Sequence, residues 1–356
     1  MRFDERDSAT PTSTKRNTNT ALQALYILSL LLAVFAQWQC KSDVKYEKAL
    51  QQSSPSAQTE QAPPEITDTS HWMYHLQQAE NYFQNHQHGL AELHLKRALR
   101  KNPEAPQIYL ALAEVYLDWP KSRKAIEVLA EAVQKFPRDT ALRLQQIYVL
   151  LVLRQYATAL QKSAELLRLD PQNARNYFFR GMIFKETGHD SLALVNFQRA
   201  VEFDPEFIDA YINIGEIYTR KKDPIALQYF NNVLDIDPDN PLALHSIAYF
   251  HQVTGHTERA IEILEDLIKK QGRYYDAYLS LGLLYLDNED YRKAFEKLSI
   301  LLSINDQYLD AYYYRAVAAE ALGLKEQAIK DLETLLSFAP DYPNAQELLQ
   351  SLQAGK

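Results

Sequence analysis

The sequence predicts an all-α fold, a solenoid of about eight helix hairpins followed by a C-terminal capping helix. Two observations predict the hairpins: a series of alanines and a series of prolines both recur with a period of 34 residues, shortened once to 33. A third observation is the apolar spacing i, i+3, i+4, i+7 within each unit, which is the stripe of an amphipathic helix. The 356 residues are 46% hydrophobic and 24% charged, which is too apolar for a disordered chain.

The alanine series marks the second helix of each unit. Its members are Ala91, Ala125, Ala159, Ala193, Ala226, Ala260, Ala294 and Ala328. Twelve residues after these alanines come Pro103, Pro137, Pro171, Pro205, Pro238 and Pro340, with Gly272 and Asp306 at the two remaining places. A proline lacks an N–H group and clashes with the preceding turn. We therefore expect each second helix to end just before this position.

The first helix of each unit carries a mostly small residue at one recurring position. These residues are Ala79, Ala113, Ile147, Gly181, Gly215, Ala248, Gly282 and Ala316. Small side chains let two helix backbones approach closely where they cross. Between the two halves of a unit, Gly188, Gly255 and Gly323 indicate turns. A single hairpin cannot bury its apolar stripe, so neighbouring hairpins must stack to close a shared core.

This pattern resembles the tetratricopeptide repeat, a helix hairpin of 34 residues. Unit four carries it at Tyr177, Gly181, Phe184, Gly188, Ala193, Phe197, Ala200 and Pro205. The resemblance covers residues 72–342 and divides them into the units 72–105, 106–139, 140–173, 174–207, 208–240, 241–274, 275–308 and 309–342. A capping helix and tail are expected at 343–356, with the helix starting at Pro343.

Residues 1–40 resemble a bacterial lipoprotein signal peptide. Lys15 and Arg16 precede an apolar run over 24–36, and the only cysteine, Cys40, follows four residues later. In such signals the cysteine is lipidated and becomes the mature N-terminus. Ordinary cleavage after Ala36 and an uncleaved membrane anchor remain the alternatives. The expected location is the cell envelope, membrane-anchored, facing the periplasm or the cell surface.

Residues 41–71 predict a disordered linker between this segment and the repeats. They are rich in Gln, Ser, Pro and Thr and contain few bulky apolar residues. As a flexible coil they would span roughly 30 Å, which holds a folded domain just off a membrane surface.

Composition and motifs argue against several classes of function. A net charge of −8 disfavours nucleic-acid binding, and a single cysteine excludes an internal disulfide. No catalytic motif is present, so we expect no enzyme, no small-molecule substrate and no cofactor. Five of the nine histidines lie in the first unit or directly before it, and we expect them to be solvated side chains without a metal ion. They are His71, His75, His86, His88 and His94.

In tetratricopeptide arrays the first helices line a concave groove that binds protein or peptide partners. The resemblance therefore implies a groove of apolar and aromatic side chains, although the same residues also suit packing within the array. The expected groove residues are Tyr148, Phe178, Phe179, Met182, Ile212, Glu216, His245, Tyr249, Leu279, Tyr313 and Tyr314. The carboxylates expected to flank them are Asp209, Asp276, Asp287, Asp310 and Glu320.

We therefore expect a non-enzymatic scaffold of the bacterial cell envelope that binds a protein partner in this groove. The alternative is a glycan- or peptidoglycan-binding envelope module, since tyrosine and phenylalanine rings stack on sugars. Glycan sites usually rely on tryptophan, and Trp38 and Trp72 lie outside the expected groove.

Overall fold

A computed structural model describes residues 71–354 of the chain, and this part contains seventeen α-helices and no strand. The predicted fold class, an all-α array of eight helix hairpins and one further helix, is confirmed. The predicted signal segment with Cys40 and residues 41–70 of the predicted linker lie outside the described residues. The helices are α1 (Trp72–Gln84), α2 (His88–Lys101), α3 (Pro106–Asp118), α4 (Ser122–Lys135), α5 (Thr140–Val152), α6 (Tyr156–Leu169), α7 (Ala174–Glu186), α8 (Asp190–Phe203), α9 (Ile208–Arg220), α10 (Ile225–Ile236), α11 (Pro241–Val253), α12 (Thr257–Lys270), α13 (Tyr275–Asp287), α14 (Tyr291–Ile304), α15 (Leu309–Ala321), α16 (Lys325–Phe338) and α17 (Ala345–Gln353).

The described residues fall into two compact units, each with its own buried core. The N-terminal unit ends at Ile217 and the C-terminal unit begins at Tyr218, so the boundary lies within α9. The apolar core of the first includes Leu95, Ile108, Leu129 and Leu142. The core of the second includes Leu264, Leu281, Leu298, Leu301, Leu332 and Leu335. Over residues 71–354, the helices are too short or too polar to cross a lipid bilayer.

The alanine series lies at the most deeply buried positions of the array. All eight of these alanines have a relative exposure of 0%, which confirms that the period marks helix packing. Each second helix ends two residues before the proline position; α2 ends at Lys101, for example, before Pro103. The same holds where Gly272 follows α12 and Asp306 follows α14. The turn therefore needs a residue that tolerates the end of a helix, of which proline is one choice.

The small residues of the first helices do allow a close approach between the two helices of a hairpin. A Cβ atom added to Gly181 in α7 would lie 2.6 Å from Cε1 of Phe197 in α8. A Cβ atom added to Gly282 in α13 would lie 2.7 Å from the Leu298 side chain in α14. Both distances are shorter than any real van der Waals contact, so a larger residue would force the helices apart.

Seven of the eight turns inside the hairpins contain a residue in the left-handed conformation. Gly188, Gly255 and Gly323 have φ angles of 76°, 85° and 74°, which confirms the prediction that they are turn residues. Four other hairpins place different residues in this conformation at the corresponding position, with φ between 55° and 59°, whereas the second hairpin has Pro120 there. The four left-handed residues are His86, Arg154, Lys222 and Glu289. Glycine adopts such angles without steric cost, whereas a residue with a Cβ is strained there.

The last helix starts two residues later than the sequence suggests. Residue Pro343 was expected to begin it, but α17 begins at Ala345. The intervening Asn344 has φ 60°, a left-handed conformation that cannot continue into a right-handed helix. Leu349 and Leu352 are buried, as expected of a helix that covers the end of the apolar core.

We expect Gly282→Ala to lower the free energy of unfolding by about 1–2 kcal/mol. Overpacking against Leu298 costs about 1–3 kcal/mol and alanine's higher helix propensity returns up to about 1 kcal/mol. Urea unfolding followed by circular dichroism measures the change. Gly272→Ala is the matched control, because its added Cβ would lie 3.8 Å from the nearest atom and its φ is not left-handed. Equal unfolding midpoints for the two variants would contradict the close-approach argument.

Candidate functional site

In the N-terminal unit, most of the expected groove residues are buried within the array. Phe178 is 2% exposed and Phe179 is 5% exposed, and Met182, Ile212 and Glu216 are buried as well. The Phe178 ring packs against Phe197 and against Phe207, with centroids 5.6 and 4.9 Å apart. These side chains hold the hairpins together, and only a small part of each reaches the surface. Their contact with a partner stays a prediction.

Tyr148 is the partly exposed member of this group. Its ring meets the ring of Phe179 edge to face, with centroids 5.9 Å apart. Burial, and then the negative charge of Glu114, raises the pKa of the Tyr148 phenol to about 12. The phenol is therefore held in its neutral form at physiological pH, where it presents a hydrogen-bonding group next to an aromatic face.

Glu216 forms an internal ion pair in this structure. The ammonium group of Lys185 donates to Oε2 of Glu216 and to Oδ1 of Asn213, and the Lys185 and Glu216 side chains are 12% and 6% exposed. The second carboxylate oxygen, Oε1, is buried without a hydrogen-bond partner. Most of the charge of Glu216 is thus neutralised by the preceding hairpin.

In the C-terminal unit, the expected groove residues are divided between interior and surface. His245, Leu279 and Tyr314 are buried, whereas Tyr249 and Tyr313 are partly exposed. Nε2 of His245 lies 2.8 Å from Oγ of Ser280 in the next hairpin, and burial lowers the pKa of this histidine. His245 therefore serves as a neutral hydrogen-bonding group between two hairpins.

Beside these residues lies a row of half-buried tyrosines and aspartates. The Tyr308 hydroxyl donates to Oδ1 of Asp276 at 2.6 Å, and the Tyr342 hydroxyl donates to Oδ1 of Asp310 at 2.5 Å. The rings of Tyr313 and Tyr342 lie 5.4 Å apart. We call this row the tyrosine–aspartate surface, and its members are Tyr274, Asp276, Tyr308, Asp310, Tyr313 and Tyr342.

The tyrosine–aspartate surface contains two carboxylates, Asp276 and Asp310, that accept hydrogen bonds from tyrosines. None of the ion pairs found within residues 71–354 includes Asp276 or Asp310. Burial, and then the charge of Asp276, raises the pKa of Tyr308; burial and the charge of Asp310 do the same for Tyr342. The phenols therefore stay protonated and donate to the carboxylates. They hold the two charges in place without cancelling them.

Sequence reasoning named the two aspartates but missed three of their neighbours. Tyr274, Tyr308 and Tyr342 recur every 34 residues, in register with the repeat, at its last position. That position lies in the loop that precedes a first helix, outside the helix faces considered for the groove. The same spacing in Asp276 and Asp310 would have indicated the pairing, because contacts between adjacent hairpins recur once per repeat. Of the other flanking carboxylates, Glu320 is exposed and Asp287 partly exposed.

Three family models together match nearly all of the described chain. Residues 62–253 match the FAT domain family, and residues 251–309 and 310–342 match tetratricopeptide repeat families. The chain is 23% identical over 268 residues to a TPR repeat-containing protein of Methanocaldococcus jannaschii, covering 69% of this chain and 47% of the relative. It spans about half the length of the curated relatives that it matches.

Two solved structures share the fold. The APC/C heterotetramer Cut9–Hcn1 superposes with a TM-score of 0.52 and 15% identity, covering 81% of this chain and 57% of that one. PilW, described as a type IV pilus biogenesis factor, superposes with a TM-score of 0.51 and 19% identity, covering 59% of this chain and 98% of that one. At these identities the likeness shows the fold alone.

We expect the stability of the N-terminal unit to fall at alkaline pH through Tyr148. An unfolded tyrosine has a pKa near 10 and the folded one near 12, so the stabilisation by the neutral phenol is complete below about pH 10. It is lost as the pH rises toward 12. Urea midpoints of the wild type and of Tyr148→Phe, measured from pH 8 to pH 11.5, should differ by a constant amount up to pH 10. Above it, the wild type should lose more stability than the variant; parallel curves would contradict the assignment.

Proposed function

The chain belongs to the FAT domain and tetratricopeptide repeat families, and on that premise we propose that it is a non-enzymatic scaffold of the bacterial cell envelope. Tetratricopeptide repeat proteins mediate protein–protein interactions. The partner we propose is a protein segment that carries both lysine or arginine and aromatic side chains. The membrane attachment we propose is a lipid on Cys40.

The tyrosine–aspartate surface is the observation that supports this partner. Two carboxylates that take part in none of the ion pairs found within residues 71–354 stand beside partly exposed phenol rings. A lysine or arginine side chain would gain a charge-assisted hydrogen bond to Asp276 or Asp310. Its cationic group would also lie near the faces of Tyr313 and Tyr342, where cation–π attraction adds to the binding.

The apolar part of the same segment would contact the partly exposed tyrosines. Tyrosine is enriched at interface hot spots, since it buries a large apolar area and keeps a polar end. Tyr249 and Tyr313 supply this area in the C-terminal unit. The buried groove residues, Leu279 among them, would then support the binding surface from below.

Attachment to the membrane rests on the sequence of the N-terminal segment. An apolar run followed closely by the single cysteine of the chain is typical of a lipidated precursor. The linker that follows would let the repeats reach a partner near the membrane surface.

We expect selection from a bead-displayed library of random twelve-residue peptides to enrich sequences with lysine or arginine beside aromatic residues. The double variant Asp276→Asn/Asp310→Asn should bind the best enriched peptide at least roughly tenfold more weakly. Asparagine can still accept the hydrogen bond from the tyrosine hydroxyl, but it lacks the negative charge. Isothermal titration calorimetry measures the affinities. The binding of the wild type should also weaken as salt rises.

Asp235→Asn/Asp341→Asn is the control, because it removes the same charge from two exposed positions of the same unit. It should bind the peptide as the wild type does. An equal loss of peptide affinity in both double variants would mean that only the net charge of the unit matters, which would contradict a specific role of Asp276 and Asp310. Enrichment without basic residues, or retention of the purified chain on insoluble peptidoglycan in place of peptides, would contradict the proposed partner.

We expect metabolic labelling with an alkyne-bearing fatty acid in a bacterial host to label the wild type and not Cys40→Ala. Cys40 is the only cysteine in the sequence, so its thiol is the only one that can carry the lipid. The labelled protein should sediment with membranes and the variant should not. If the wild-type protein stays unlabelled but sediments with membranes, the proposed lipid attachment is wrong and an uncleaved membrane anchor explains the result.

A further inference from the structure

Two histidines and an aspartate from neighbouring hairpins meet at one edge of the N-terminal unit. His86 lies in the turn between α1 and α2, His88 is the first residue of α2, and Asp118 is the last residue of α3. Nε2 of His88 lies 2.5 Å from Oδ2 of Asp118, and Nδ1 of His86 lies 3.9 Å from the same oxygen. The three ligand atoms all lie within 4.8 Å of one another.

We propose that His86, His88 and Asp118 bind a divalent transition-metal ion, with Zn²⁺ as the probe that tests it. Two imidazole nitrogens and a carboxylate oxygen are the donor set of three-ligand zinc sites, which leave a fourth position to water. Tetrahedral zinc bonds of about 2.0–2.1 Å place ligand atoms about 3.3 Å apart. The two observed separations, 2.5 and 3.9 Å, lie on either side of that value. Small rotations of these side chains would therefore bring the ligand atoms to the spacing of a zinc site.

The least mobile ligand of the three is held by packing. The His88 side chain is 17% exposed and its ring stacks on the indole of Trp119, with centroids 5.9 Å apart and planes 20° apart. Its edge meets the ring of Phe83. A ligand held by such contacts loses little conformational entropy when the ion binds.

His86 leaves the site open to solvent. Its side chain is 83% exposed, and the depression that it shares with His88 and Trp119 opens at the surface. An ion can enter without unfolding the turn, and His86 can rotate onto it. The backbone of the turn is fixed by hydrogen bonds from the His86 N–H to the Phe83 carbonyl and from the Gln87 N–H to the Tyr82 carbonyl.

The fold itself does not require histidine at residue 86. The corresponding turn position is glycine in three other hairpins, at 188, 255 and 323, and the left-handed conformation favours glycine. A histidine there is strained by comparison. Asp118 follows 30 residues after His88 and lies at the carbonyl end of α3, whose partial negative charge attracts a cation.

The sequence expectation of no metal ion came from residues near one another in the chain. A second histidine pair in the first hairpin, His75 and His94, has its Nδ1 atoms 3.4 Å apart and serves as the internal comparison. Within the part of the chain that the structure describes, the group around Asp118 is the one that brings three ligand atoms together.

The test is isothermal titration of the untagged, chelator-treated full chain with ZnCl₂ at pH 7.5. We expect one site that His86→Gly weakens at least tenfold. The same substitution should leave the urea midpoint of the metal-free protein unchanged or raise it, since glycine relieves the left-handed strain. Asp118→Asn should weaken binding similarly. Zn²⁺ at one fixed concentration should raise the midpoint of the wild type more than that of either variant.

His94→Gln is the matched control, and it should leave the affinity unchanged. Loss of binding in His94→Gln, with retention in His86→Gly, would assign the ion to the other histidine pair and overturn the proposal. Wild-type binding no tighter than that of His86→Gly would overturn it as well. The metal-free midpoint separates either result from a failure to fold.

Discussion

The crossing of the two helices within each hairpin is the contact on which the rest of the array depends. At Gly181 the Phe197 ring occupies the space of a missing Cβ, and at Gly282 Leu298 does the same. The recurring alanine of the second helix is fully buried in every hairpin. Backbones this close leave no room for a change in the helix spacing, so each hairpin presents its outer faces in a fixed register.

This register explains why most of the expected groove residues are interior side chains. Once the helices of a hairpin are close, its remaining apolar faces are buried only by the next hairpin. Phe178 accordingly packs on Phe207, which precedes the following first helix, and His245 bonds to Ser280 one hairpin further on. Several side chains that the family resemblance assigns to partner binding therefore pack between neighbouring hairpins instead of facing solvent. Tyr148, Tyr249 and Tyr313 keep part of their surface exposed.

The repeat period was enough to predict the hairpins, because it records contacts that recur identically in every unit. The alanine positions, the helix ends before the prolines and the glycine turns all belong to this class. The pairs that give the surface its chemistry join side chains far apart in sequence, 32 residues for Tyr308 with Asp276 and 30 for His88 with Asp118. Inspection of one helix face at a time does not find such pairs, because neither residue stands out in its own segment of the sequence.

Differences in the donor set give these pairs different chemistry. A tyrosine hydroxyl donates one hydrogen bond to a carboxylate and brings no positive charge, which is why we propose that Asp276 and Asp310 attract a cationic group of a partner. Lys185 does the opposite at Glu216, where its partly buried ammonium group forms an ion pair with the carboxylate inside the array. At the third site, the imidazole of His88 offers a nitrogen lone pair and the Asp118 carboxylate offers an oxygen ligand. The nearby imidazole of His86 completes a donor set for a metal ion. We therefore propose that the residue facing a carboxylate from the neighbouring hairpin decides whether that carboxylate stabilises the array, attracts a cationic side chain or binds a metal ion.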